Sequence, residues 1–257
     1  MLTAGIAAGT INVIVGSGTL VTFPTLLALG VPPVTANVSN SVGLVFGSLT
    51  GAWGYRRELA GTRPLLLRLI PASLAGAVIG AVLLLRLPAD AFEMIVPVLI
   101  GIALVLVVVQ PRIAAALVAR RDGDVGAPSG AGPGAGPGAG PVVVVGTLLT
   151  GVYGGYFGAA QGVLLLGLLG SFLAGGLQKV NGIKNVLAAV ANGVAAVTFL
   201  VIEPSLVDWT VAALLAAGSV AGGLVGAGIG RRLPSPALRG VIVVVGVLAI
   251  VRLLAPS

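Results

Sequence analysis

The chain has 257 residues, of which 57% are hydrophobic and only 8% charged, with a net charge of +7 and neither cysteine nor histidine. Soluble domains carry about a quarter charged residues, so too little polar surface exists to face water, and the expected solvent is lipid. Without Cys and His, disulfide scaffolds, zinc sites and thiol or triad hydrolases are excluded. No metal, cofactor or catalytic residue is expected. The 14 basic residues are scattered between apolar blocks, which reads as the inner loops of a multi-pass protein of the cell membrane, not as a nucleic-acid interface.

A helix needs about 20 apolar residues to cross a bilayer. The first apolar stretch, Met1 to Gly30, has no basic n-region, so no cleaved leader is expected, and it is interrupted by Gly16-Ser17-Gly18. Three uninterrupted spans follow: Val34 to Tyr55, Leu65 to Leu85 and Ala91 to Val109. Residues 122–140 include AGPGAGPGAG and read as a flexible cytoplasmic loop between a first transmembrane repeat (1–121) and a second (141–257). The second half opens on Pro141 to Ala174, interrupted by Gly154-Gly155, Gly158 and Gln161-Gly162. Val180 to Ile202, Trp209 to Gly230 and Ala237 to Leu254 complete six expected crossings. The pieces beside each interruption are about 11 to 17 residues long, too short to cross alone. At membrane depth such a break is tolerated only where protein or a water-filled cavity covers it.

The two interrupted stretches align. GTINVIVGSG (Gly9 to Gly18) lies over GVYGGYFGAA (Gly151 to Ala160). After a two-residue insertion, NVSNSVGLVFGS (Asn37 to Ser48) lies over NGIKNVLAAVAN (Asn181 to Asn192), pairing Asn37 with Asn181, Ser41 with Asn185 and Ser48 with Asn192. Basic residues favour the cytoplasmic side. Three crossings per half put the loops holding Arg56, Arg57 and Arg63, Arg112, Arg120 and Arg121, and Arg231, Arg232 and Arg239 all inside, with Glu203 and Asp208 outside. Four crossings per half cannot. The expected fold is therefore an all-α membrane protein of two inverted repeats. Each is a re-entrant broken-helix hairpin followed by three transmembrane helices, and the N-terminus faces outward.

Positions i, i+4 and i+11 fall within about 40° on a helix. Asn37, Ser41 and Ser48 thus make one polar stripe, and Asn181, Asn185 and Asn192 its mate. Amides in hydrocarbon are costly without a partner or a cavity, so the stripes are expected to face each other along a central substrate path. Ordinary interhelical hydrogen bonding is the competing reading. Lys184, about 60° off its stripe, is a candidate anion ligand, whereas Lys179 at the helix start reads as snorkelling. Asn12, Ser17, Thr19 and Gln161 add polar groups at the breaks, where half-helix N-termini attract anions. All seven acids sit near expected ends or loops, which disfavours a carboxylate proton relay or cation path. Glycines at every fourth position (Gly43, Gly47, Gly51; Gly76, Gly80; Gly218, Gly222, Gly226, Gly230) are assigned to close helix packing.

Gly9, Gly16 and Gly18, the segment TFPTLLALGVPPVTANVSNSVG (Thr22 to Gly43) and the second-copy opening GVYGGYFGAAQG (Gly151 to Gly162) together resemble the sulfite exporter TauE/SafE family of bacterial membrane transporters. The resemblance covers nearly the whole chain apart from the Gly/Pro loop. It implies transport of sulfur-containing anions such as sulfite, thiosulfate, sulfonates or sulfoacetate, with substrate contacts around Asn37, Ser41, Asn181 and Asn185. Gly154 stands where the first copy has Asn12, so the tip contacts are expected to be asymmetric. The expected substrate-binding set is Asn12, Ser17, Asn37, Ser41, Gln161, Asn181, Lys184 and Asn185, the expected partners being a small anion and the lipid bilayer. The alternative is an integral-membrane accessory or structural subunit, which would not need two matched polar stripes.

Overall fold

A computed structural model describes residues 1–123, 140–173 and 176–229, together with 240, 242–245, 247, 248, 250 and 251. Among the described residues all regular structure is helical: α1 (Leu2–Ile14), α2 (Thr19–Ala28), α3 (Pro33–Gly54), α4 (Arg63–Arg86), α5 (Ala89–Gly123), α6 (Pro141–Tyr156), α7 (Gln161–Phe172), α8 (Leu177–Ile202), a 3-10 turn at Pro204–Leu206, and α9 (Trp209–Ile229). The Gly/Pro-rich loop, at 124–139, lies outside the described residues, and the expected last span, Ala237 to Leu254, is described only in part.

Among the described residues, four helices are long and apolar enough to cross a membrane: Arg63–Arg86, Ala89–Arg112, Leu177–Ile202 and Trp209–Gly228. The expected span at Val34 to Tyr55 forms one helix of 22 residues, α3. It is long enough, but Asn37, Ser39, Asn40, Ser41 and Ser48 are all buried along it, and this polarity keeps it outside that group. Residues such as Leu67, Val98, Val105, Leu149 and Val201 are more than half exposed, as expected where the outer face meets lipid tails.

Glycine ridges set the helix pairing. A Cβ at Gly76 or Gly80 of α4 would fall 2.1 Å from Leu148 O or 2.0 Å from Val152 O of α6. One at Gly218 or Gly222 of α9 would fall 2.5 Å from Leu2 O or 2.0 Å from Ile6 O of α1. These positions carry no side chain because the backbones touch, which is how helices gain contact where lipid removes the hydrophobic drive. α9 also packs on α3: the Ser219 hydroxyl donates to Gly43 O at 2.9 Å and accepts from Gly47 N at 3.1 Å.

Both interrupted stretches break into two helices, α1 and α2, then α6 and α7. At a rise of about 1.5 Å per residue, the longest of them, α6 with 16 residues, spans about 24 Å. In the first, Gly18 lies where a Cβ would meet Ala8 O at 2.5 Å, so the chain after the break returns onto α1. The second break lies at residues 157–160, within the window marked by Gly154-Gly155, Gly158 and Gln161-Gly162, while Gly154 and Gly155 themselves remain within α6. The reason is packing. A Cβ at Gly155 would sit 2.1 Å from Ala77 O of α4, and one at Gly154 would strike the Gln161 side chain of α7. An aromatic cluster holds this second break in place: Phe157 meets Phe23 of α2 edge-on at 5.1 Å and Phe92 of α5 at 6.2 Å.

Candidate functional site

The two breaks are closed in the same way. At the end of α1, the amides of Val15 and Gly16 both donate to Ile11 O, at 2.7 and 3.1 Å. At the end of α6, those of Phe157 and Gly158 both donate to Tyr153 O, at 2.9 and 3.0 Å. Gly16 and Gly158 take left-handed backbone, φ +85° and +74°, the conformation glycine adopts most easily in a helix C-cap. The equivalent residues are the ones the sequence alignment pairs, Gly16 over Gly158.

Such a cap leaves other terminal carbonyls unmet, and in each break the opposite half supplies a donor. Lys184 Nζ and Asn185 Nδ2, both from α8, donate to Val13 O at 3.1 and 3.4 Å. Asn37 Nδ2, from α3, donates to Tyr156 O at 2.9 Å. The cation thus sits at the negative end of the α1 dipole, where it is stabilising. The breaks then meet each other: Gly162 N donates to Gly16 O at 3.0 Å, and a Cβ on Gly162 would fall 2.4 Å from the Gly16 Cα. Ser17 and Gln161 each stand one residue from this bond. Both are buried, at 1% and 3% exposure, yet Ser17 Oγ and Gln161 Nε2 find no hydrogen-bond partner. Buried polar groups in folded proteins are nearly always paired, and these two stand unpaired beside the backbone crossing.

The expected set does not gather at one point. Ser48 Oγ joins the halves, accepting from Asn12 Nδ2 at 3.1 Å and from Asn192 Nδ2 at 3.0 Å. Asn181, however, donates to the Tyr55 hydroxyl at 2.9 Å. From position 37 to 55, α3 runs about 27 Å at a rise of about 1.5 Å per residue, so Asn37 and Asn181 mark opposite ends of the α3–α8 contact. The stripes cross as antiparallel helices, meeting at Ser48 and Asn192 instead of facing along their whole length. Ser41 turns its hydroxyl inward to its own helix, donating to Asn37 O at 2.9 Å.

Sequence reasoning passed over Asn40, which accepts from Thr22 Oγ1 at 2.5 Å and donates to Thr19 Oγ1 at 3.2 Å, tying α2 to α3. It lies three residues past Asn37, off the stripe. Tyr55 was missed although the signal was present: it lies 18 residues past Asn37, on the same helical face.

A family model described as "Sulfite exporter TauE/SafE" matches residues 1–253. A protein of Sinorhizobium sp. described as "Probable membrane transporter protein ORF9" is 30% identical over 260 residues, covering 99% of this chain and 91% of that protein. No solved structure matches.

Proposed function

The chain belongs to the sulfite exporter TauE/SafE family of membrane transporters, and from that premise we propose that it carries small sulfur oxyanions or organosulfonates across the cell membrane by alternating access. The observation that carries this reading is the crossing of the two breaks, where Ser17 and Gln161 are buried without partners beside the Gly16–Gly162 bond. Lys184 brings a positive charge to the same region through Val13, and no carboxylate accompanies it on α1, α3 or α8. An oxyanion accepts hydrogen bonds from several donors at once, and Ser17, Gln161 and Lys184 offer them. Asn12, Asn37, Ser41, Asn181 and Asn185 line or brace the path on either side.

The architecture we propose is two inverted repeats, each opening on a re-entrant hairpin. Three observations support it: the matching caps at Ile11 and Tyr153, the exchange by which α1 packs on α9 while α6 packs on α4, and the return of each broken chain onto its own first helix. In transporters built this way, rocking one repeat against the other opens a shared midplane site to each side in turn. The experiment is flux of sulfite, thiosulfate, methanesulfonate and sulfoacetate in proteoliposomes. Saturable flux of at least one is expected. Absence of flux for all of them from folded protein overturns the transporter reading in favour of an accessory subunit.

A further inference from the structure

Lys184 is the one buried charged side chain among the described residues, at 1% exposure. Its ammonium has three N–H donors and one partner, Val13 O. The helices packed on α8 are α3, α4, α6 and α7, and none of them carries an Asp or Glu. Neither do α8 itself and α1, whose end the lysine caps. Their remaining basic residues, Arg63, Arg68 and Arg86 on α4 and Lys179 on α8, are not buried. A carbonyl cap satisfies one hydrogen bond but leaves the charge unbalanced, and an unbalanced charge in a low-dielectric interior is costly. The turn after α3, which meets α8 at Gly182, carries Glu58, but on the packed helices themselves no carboxylate balances the charge, and the counter-charge is assigned to the ligand.

We propose that Lys184 makes the site selective for singly charged anions: one buried ammonium, with no second buried cation beside it, balances one negative charge and leaves the second charge of a dianion unmatched. The ligand class is a monoanion with a trigonal head of oxygens, such as hydrogensulfite or an alkanesulfonate, whose oxygens take the free Lys184 donors together with Ser17 and Gln161. This rests on the proposed transport reading and narrows its substrate. The Val13 cap and the anion do not compete for the same hydrogen, so the lysine holds α1 and the ligand together.

The test compares methanesulfonate with sulfate and ethane-1,2-disulfonate, whose charges are fixed near neutral pH, by proteoliposome flux and by ligand-induced shift of thermal unfolding. The parent is expected to prefer methanesulfonate by about tenfold or more, a lower bound for one unmatched charge in a low-dielectric site. Lys184→Gln keeps a donor for Val13 O and removes the charge, and it is expected to lose methanesulfonate binding and flux about tenfold while unfolding near the parent's temperature. Lys184→Arg keeps the charge and is expected to retain binding. Equal handling of mono- and dianions by the parent, or unchanged methanesulfonate binding in Lys184→Gln, overturns the proposal. If the lysine is only a helix cap, Lys184→Gln behaves as the parent. Charge-selective stabilisation without flux would retain this inference and remove the transport reading, so the two fail separately.

Discussion

Gly162 is the residue on which the crossing turns. Its amide holds Gly16 O, and its missing side chain lets the second break lie directly on the first. Even one methyl would fall 2.4 Å from the Gly16 Cα, and backbone has no rotamer with which to give way. Gly162→Ala is therefore expected to destabilise the protein by about 1–3 kcal/mol, the usual cost of overpacking, and to abolish flux by parting the breaks. Gly101 in α5 has nothing within 4 Å of a built Cβ. Gly101→Ala is expected to be neutral or to stabilise by up to about 1 kcal/mol, the helix preference of alanine over glycine. Thermal unfolding in detergent, followed by helical circular dichroism, reads both. Equal unfolding temperatures for the two variants would mean that the crossing contributes nothing.

The helices are joined by contacts of two kinds with different costs. Glycine ridges make backbone contact between α1 and α9 and between α4 and α6, and they are shape-specific, with one side-chain hydrogen bond across the first, from Thr10 Oγ1 to Gly222 O at 3.0 Å. Of the amide contacts, Asn192 on Ser48 and Asn37 on Tyr156 O bind elements from opposite halves, and Asn12 on Ser48 ties α1 to α3 within the first. Gly222→Ala and Gly80→Ala place a Cβ 2.0 Å from Ile6 O and Val152 O. Each is expected to cost about 1–3 kcal/mol, with similar losses because the two ridges do equivalent work. Unfolding midpoints within error of the parent for either would show that the ridge can part without loss. Pattern made these ridges legible, since glycine at every fourth position lies on one helix face. Which glycines of the 154–162 window carry the second break was not legible, for the converse reason. Gly154 and Gly155 look like a break in sequence, but α4 and Gln161 use both as packing surface.

On the scale of the whole molecule, the two ends of α3 meet turns of different charge. Asn181 reaches Tyr55, beside Arg56 and Arg57, and Asp208 N donates to Ser39 Oγ near the start of α3 at 2.8 Å. The arginine turn after α3 and the acidic turn after α8 therefore lie at opposite ends of α3. By the excess of basic residues on cytoplasmic loops, the arginine end is expected to face the cytoplasm. The chain has no cysteine, so single replacements report topology directly. Arg57→Cys is expected to react with a membrane-impermeant maleimide only after permeabilisation, and Ser205→Cys in intact cells, both positions being exposed. Labelling in the reverse order would invert the assigned orientation.

The lipid solvent, the helical class and the presence of two breaks were legible in the sequence alone. Hydropathy and periodicity are local, and a polar letter in a greasy helix is conspicuous wherever the helix ends up. Tertiary structure alone decided which polar residues meet. Antiparallel crossing carries Asn37 and Asn181 to opposite ends and joins Ser48 to Asn12 and Asn192. It also turns Lys184 onto the end of a helix some 170 residues away in the chain, at Val13. A helical face states a direction only, whereas a contact also needs the depth and sense of the neighbouring helix, and packing sets those.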